Sequence, residues 1–119
     1  MLHTAVTAGP CGPVVIISGE ADLTCVAQLT GLIDDLIPVR LDDGRHELTI
    51  DMSGLSYADS VAIREFLVAA RTLKKRGGSL VLLRPQQPVA RILAVLGADQ
   101  MLTIRSRARG EREPADRAG

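Results

Sequence analysis

Apolar and polar positions change period several times along this chain, and each change predicts a new element. Residues 2–6 alternate weakly, as in a short strand. Gly9, Pro10, Gly12 and Pro13 then predict a turn across residues 8–13. Val14-Val-Ile-Ile17 is an unbroken β-branched run, the pattern of a strand covered on both faces. The polar stretch Ser18-Gly-Glu-Ala-Asp22 predicts a loop. Val26, Leu29, Ile33 and Leu36 recur at helical spacing, so a helix is expected from about Thr24 until Pro38 ends it. Asp22 or Thr24 is placed to cap its start.

A polar turn follows over residues 40–45, around Asp42-Asp43-Gly44. Leu48, Ile50 and Met52 alternate with Thr49, Asp51 and Ser53, which predicts a strand with one buried side and then a short loop to Tyr57. Ile63, Phe66, Leu67, Ala70 and Leu73 share one face of a helix expected over residues 63–76. It closes on Lys74-Lys75-Arg76 and Gly77-Gly78, cations in the last turn and then glycine. Residues 79–83 read as a buried strand stopped by Pro85. Val89, Ile92, Leu93 and Leu96 predict a third helix closed by Gly97, and residues 101–104 a last short strand. Beyond that, no periodicity remains, so residues 1–104 are expected to form one domain and 105–119 a disordered charged tail.

Strands that alternate with helices imply an α/β domain with a mixed, mostly parallel β-sheet and packed α-helices. If residues 2–6 pair with residues 14–17 through the glycine-proline turn, that edge is antiparallel and the sheet is mixed. In such sheets functional residues collect at the carboxyl ends of the strands. Glu20 and Asp22 follow one strand, and Asp51, Asp59 and Ser60 another, so an acidic cluster around one serine is expected at a single edge.

Composition narrows the functions. Fourteen basic residues balance fourteen acidic ones in 119, so no net field recruits nucleic acid or an anionic membrane. Tyr57 and Phe66 are the only aromatic residues, too few for base-stacking platforms or an aromatic cage. Cys11 and Cys25 lack metal or redox spacing and read as free thiols in a reducing cytoplasm. Neither a signal peptide nor a membrane span is expected. His3 and His46 stand apart without metal-ligand company, so no metal or other cofactor is expected. A phosphorelay receiver would need a lysine after a late strand, but the only lysines, Lys74 and Lys75, end a helix. No Gly-x-x-x-x-Gly-Lys loop and no nucleophile elbow around Ser60 are present, so the chain reads as a non-enzyme.

The most informative local feature is Asp59-Ser60, where a strand and loop give way to a helix. A serine there is most simply a helix cap, and Asp59 competes for the same task. Its hydroxyl is equally placed to accept phosphate at the positive end of the helix. The outward face of that helix, at 100° per residue, carries Val61, Arg64, Glu65, Val68, Arg71, Thr72 and Lys75. Val61 and Val68 are then apolar residues among charges, either stray surface valines or the centre of a docking patch.

The ordered set of segments resembles the STAS domain family (sulphate transporter and anti-sigma-factor antagonist), and within it the small bacterial anti-sigma factor antagonists. The similar pieces are Val14-Val-Ile-Ile-Ser-Gly-Glu-Ala-Asp22, Leu48-Thr-Ile-Asp-Met-Ser-Gly-Leu-Ser-Tyr-Ala-Asp-Ser60, Gly77-Gly-Ser-Leu-Val-Leu82 and Val89-Ala-Arg-Ile-Leu-Ala-Val-Leu-Gly97. The resemblance implies that Ser60 is phosphorylated by a partner anti-sigma factor that is itself a serine kinase. It implies that Asp22 and Asp59 are the family's acids beside that serine. Val61 and Ala62 stand where the family often has a second hydroxyl residue and a glycine. The expected partner surface is Asp22, Asp59, Ser60, Val61, Arg64 and Val68, with a phosphatase as a further partner of a reversible switch. The alternative within the same family is a STAS-type scaffold or transporter-regulating subunit that never cycles phosphate.

Overall fold

A computed structural model of the chain describes residues 1–37 and 47–106. The expected helix stop at Pro38, the turn at residues 40–45, His46 and all but the first two residues of the expected tail lie outside the described residues. The elements run β1 (Leu2–Gly9), β2 (Gly12–Ala21), a 3-10 turn (Leu23–Cys25), α1 (Val26–Leu36), β3 (Glu47–Ala58) and α2 (Ser60–Lys75). They continue with β4 (Ser79–Leu83), α3 (Gln87–Val95), a second 3-10 turn (Ala98–Gln100) and β5 (Thr103–Arg105).

The strands form one five-stranded sheet in the order β1-β2-β3-β4-β5. β1 pairs antiparallel with β2 from Leu2↔Gly19 to Gly9↔Gly12, and the three later pairings are parallel. This is the mixed α/β sheet that the periodicity predicted. Gly12 closes the hairpin with φ 146°, and a Cβ there would meet the Glu47 carbonyl oxygen. Only glycine fits that close approach without backbone movement.

Parallel strands laid down in consecutive order, with crossovers of one hand, put every crossover helix on the same side of the sheet. The core shows it: Val15, Ile17, Leu48, Ile50, Met52, Leu80 and Leu82 pack with Leu29, Ile33, Ile63, Phe66, Leu73, Val89 and Leu93 in one buried cluster. Val14–Ile17 therefore is not covered on both faces. Val15 and Ile17 are buried, but Val14 is only half-buried and Ile16 is 41% exposed on the side without helices. Val81 and Leu83 also point to that side; they are buried apart from the main core, near the ion pairs Arg84–Asp51 (3.5 Å) and Arg105–Glu47 (2.8 Å).

The parallel strands outrun their apolar segments. Ser18–Ala21, expected as a loop, continues β2, and the stretch before Tyr57 continues β3. Ser18↔Gly54, Gly19↔Leu55, Glu20↔Tyr57 and Ala21↔Ala58 pair across two register shifts. Sheet bonding needs only backbone groups, and a shift absorbs one odd residue, so polar side chains do not stop the ladder. At the other end, β5 takes in Arg105, the first residue of the expected tail, through the Arg84 N–H to Arg105 carbonyl bond of 2.7 Å.

Candidate functional site at the start of α2

Strands β2 and β3 end side by side, and that places the site. Ala21 and Ala58 pair and are fully buried. The Asp59 N–H then donates to the Ala21 carbonyl at 3.0 Å. Asp22 and Asp59 therefore leave the sheet from adjacent positions, each opening a helical segment. Asp22 is extended (φ −112°, ψ −177°), and its Oδ1 accepts from the Thr24 N–H at 3.0 Å and the Thr24 hydroxyl at 2.5 Å. Asp59 is likewise extended (φ −88°, ψ 175°), and its Oδ1 accepts from the Val61 and Ala62 N–H groups at 3.1 and 3.0 Å.

Asp59 is thus the cap of α2, which decides the competition with Ser60. An ionised carboxylate accepts amide bonds more strongly than a neutral hydroxyl and suits the positive helix end. Ser60 becomes the first helical residue. Its side chain is exposed, and its hydroxyl bonds no other described residue. The helix starts here, three residues before the expected start at Ile63, because the cap rather than the apolar stripe defines the end.

Asp22 carries a further electrostatic signature. The Thr24 hydroxyl bond, above all, holds its carboxyl below the usual aspartate range, aided by Cys25 and the Thr24 amide and opposed by partial burial. The thiol of Cys25 is buried and donates to the Glu20 carbonyl at 3.6 Å, which ties the 3-10 turn back onto β2.

Of the acids expected around the serine, Asp51 does not join. It lies mid-strand on the helix-free side, where Arg84 pairs with it and the Ser53 N–H donates to it at 3.0 Å. A strand turns alternate residues to opposite faces, so Asp51 points away from the helix whose start carries Ser60. Glu20 ends up opposite Tyr57, one residue short of the site's edge.

The outward residues of α2 divide. Val61 (36%) and Val68 (48%) are exposed, as are Arg64, Arg71 and Lys75. Glu65, expected outward, is half-buried and accepts from the Thr30 hydroxyl of α1 at 3.0 Å. Thr72 is half-buried and donates to the Val68 carbonyl. Ala62, where the family often has glycine, is buried with its methyl in the core, so it does not face a docking partner. The sequence reading missed exposed Leu23 (67%), Tyr57 and Leu96, which add apolar surface at this end of the molecule. Leu23 directly after a capping aspartate was a usable signal; Leu96 sits in the closing turn of α3 and read as core.

Among the described residues, no cluster of His, Cys, Asp or Glu suits a metal ion, and no helix is long and apolar enough to cross a membrane. What the site offers is an exposed hydroxyl at a capped helix start, two hydrogen-bonded aspartates and a border of apolar side chains.

Comparison with known proteins bears on the family and the fold. Residues 4–103 match the family model described as "Mlab, STAS domain". The anti-sigma-B factor antagonist of Staphylococcus epidermidis is 23% identical over 90 residues, 76% of this chain and 80% of that protein. An anti-sigma factor antagonist from Mycobacterium paratuberculosis superimposes with a TM-score of 0.77 at 21% identity, over 90% of this chain and 87% of that one. SpoIIAA, an anti-sigma factor antagonist, has been solved in its unphosphorylated form (TM-score 0.71, 21% identity, 98% of this chain and 96% of that one). It has also been solved phosphorylated (0.64, 20%, 98% and 100%). With a family model spanning most of its length and this fold, the chain belongs to the STAS domain family.

Proposed function

We infer that this chain is an anti-sigma factor antagonist: it binds an anti-sigma factor with serine kinase activity, so releasing a sigma factor, and phosphorylation of Ser60 ends the binding. The supporting observation is the division of labour at α2, where Asp59 supplies the cap and leaves the Ser60 hydroxyl exposed and unbonded among the described residues. Phosphate can be added there without unravelling the helix. In the transfer, the Ser60 oxygen bonds to the γ-phosphorus of the kinase's ATP, ADP leaves, and the hydroxyl proton passes to a base of the kinase.

The product carries about −1.5 to −2 charges. Inside the free domain, attraction to the helix start (roughly 0.3–1 kcal/mol) opposes repulsion from Asp59 and Asp22, so the fold survives. At a docked surface made by Asp22, Asp59, Ser60, Val61, Arg64 and Val68, the same phosphate must lose its water against the partner. A penalty of about 1.4 kcal/mol already costs tenfold in affinity.

The test is incubation with the anti-sigma kinase and ATP, followed by intact mass. One phosphate is expected, absent in Ser60→Ala. Ser60→Asp is expected to keep the far-ultraviolet circular dichroism and to bind the anti-sigma factor about tenfold or more weakly. A mass shift that persists in Ser60→Ala, or full affinity in Ser60→Asp, overturns the switch.

A further inference from the structure

A groove runs along α2 beside the segment that follows α3, Leu96 to Met101. Its upper part is lined by Ser60, Val61, Ile63, Arg64, Leu67 and Leu96. Its lower part is lined by Leu67, Ala70, Arg71, Lys74, Gln100 and Met101. Leu67 lines both parts, so the two depressions adjoin, and together they reach from the start of α2 to its last turn. Two properties set it apart from ordinary surface. Its walls expose large apolar side chains, Leu96 at 46% and Met101 at 59%. Every charged residue lining it is a cation: Arg64, Arg71 and Lys74, all exposed. The nearest acid of α2, Glu65, is turned to Thr30 on the opposite flank.

The charge is local, because the whole chain is neutral by formal count. Clustered cations beside an apolar floor select an occupant that brings both apolar and acidic groups. Arg64 and Arg71 are two helical turns apart, and Arg64 to Lys74 spans about 15 Å at 1.5 Å per residue. A helix of about ten residues matches that length. Acids seven residues apart on it would meet both arginines, while an apolar stripe between them lies on Leu67, Leu96 and Met101. A narrow helix suits it better than a broad lipid surface, since Leu67, which lines both depressions, is half-buried.

We propose that this groove along α2 docks an acidic amphipathic helix of a protein partner. This deepens the partner-binding reading, because the groove opens at Ser60, but it needs neither the kinase nor phosphate. The test is therefore separate: nuclear magnetic resonance titration of the whole labelled chain with a synthetic helical peptide of about 14 residues. The peptide carries leucines at helical spacing and glutamates seven residues apart, and its control has lysine for each glutamate.

Saturable shifts at Leu67, Leu96 and Met101 with the acidic peptide alone are expected. Binding is expected to weaken about tenfold or more in Arg71→Gln/Lys74→Gln, with an unchanged amide spectrum away from the groove. Met101→Ala, a second exposed position, is expected to weaken binding in the same direction. Equal binding of the lysine peptide, shifts centred elsewhere, or no saturable shift up to about 1 mM overturns the proposal. Protection of the same groove by anionic phospholipid vesicles, with none by the peptide, also overturns it in favour of a membrane. If the peptide binds but Ser60→Ala still accepts phosphate, the groove stands and the switch assignment falls.

Discussion

Asp22 and Asp59 show how two like residues come to do the same local work for different neighbours. Each follows a buried alanine at a strand end and folds its carboxylate back onto the next helical turn. Asp59 satisfies two amides that the helix itself cannot reach. Asp22 spends its bonds on Thr24, and that keeps it ionised to lower pH than a free aspartate. A carboxyl whose folded pKa is lowered adds stability that is complete above its unfolded value of 3.8 and is lost as acid protonates the folded state. Asp22→Asn keeps an acceptor but cannot titrate. Its melting temperature should lie below that of the parent near about pH 7, and the gap should narrow as the pH falls towards about 3. Thermal melts across that range check it, and a gap independent of pH would refute the assigned role. The candidate acids were legible as residues; which of them capped was not, because capping depends on backbone angles that residue names do not carry.

At the scale of elements, α2 divides into an inner stripe and an outer face much as its periodicity predicted. Ala62, Ile63, Phe66, Ala69 and Leu73 are buried, while Val61, Arg64, Val68, Arg71 and Lys75 are exposed. Glu65 departed from the outer face because α1 packs along that flank, and no pattern within one helix reveals its neighbour; Thr72 is half-buried and bonds its own helix. Val68 is nearly half exposed and makes no core contact that stability requires. Val68→Glu should therefore change stability by less than about 0.5 kcal/mol. If the face docks the anti-sigma factor, the same change should weaken that complex, because an ion would have to be desolvated at the contact. Calorimetry of the complex beside a melting curve of the free chain separates the two effects. Loss of stability would show that the residue is buried in solution.

For the whole molecule, one layer of helices over one face of the sheet concentrates stability in a single cluster. Phe66, the only phenylalanine and fully buried, sits in that cluster on the helix that begins at Ser60. Phe66→Ala should cost about 3–5 kcal/mol. That is a large share of the roughly 5–15 kcal/mol by which domains are stable. Urea denaturation measures it; a loss under about 1 kcal/mol would mean that the core is not organised around α2. The one-sided layer also accounts for the misread of Val14–Ile17. A β-branched run signals β structure, but whether one face or both are covered depends on where the crossovers lie.

Unaided, the order of residues determined the kinds of element, their succession, the antiparallel first hairpin and the presence of an acid and a serine where β3 yields to α2. These follow from periodicity and turn chemistry within a few residues of chain. Only the tertiary structure released Ser60 from capping, turned Glu65 to α1 and set the cations of α2 beside Leu96 and Met101. The first depends on the backbone angles at Asp59, and the others on which segments distant in sequence pack along each flank of α2; neither leaves a mark in a local pattern.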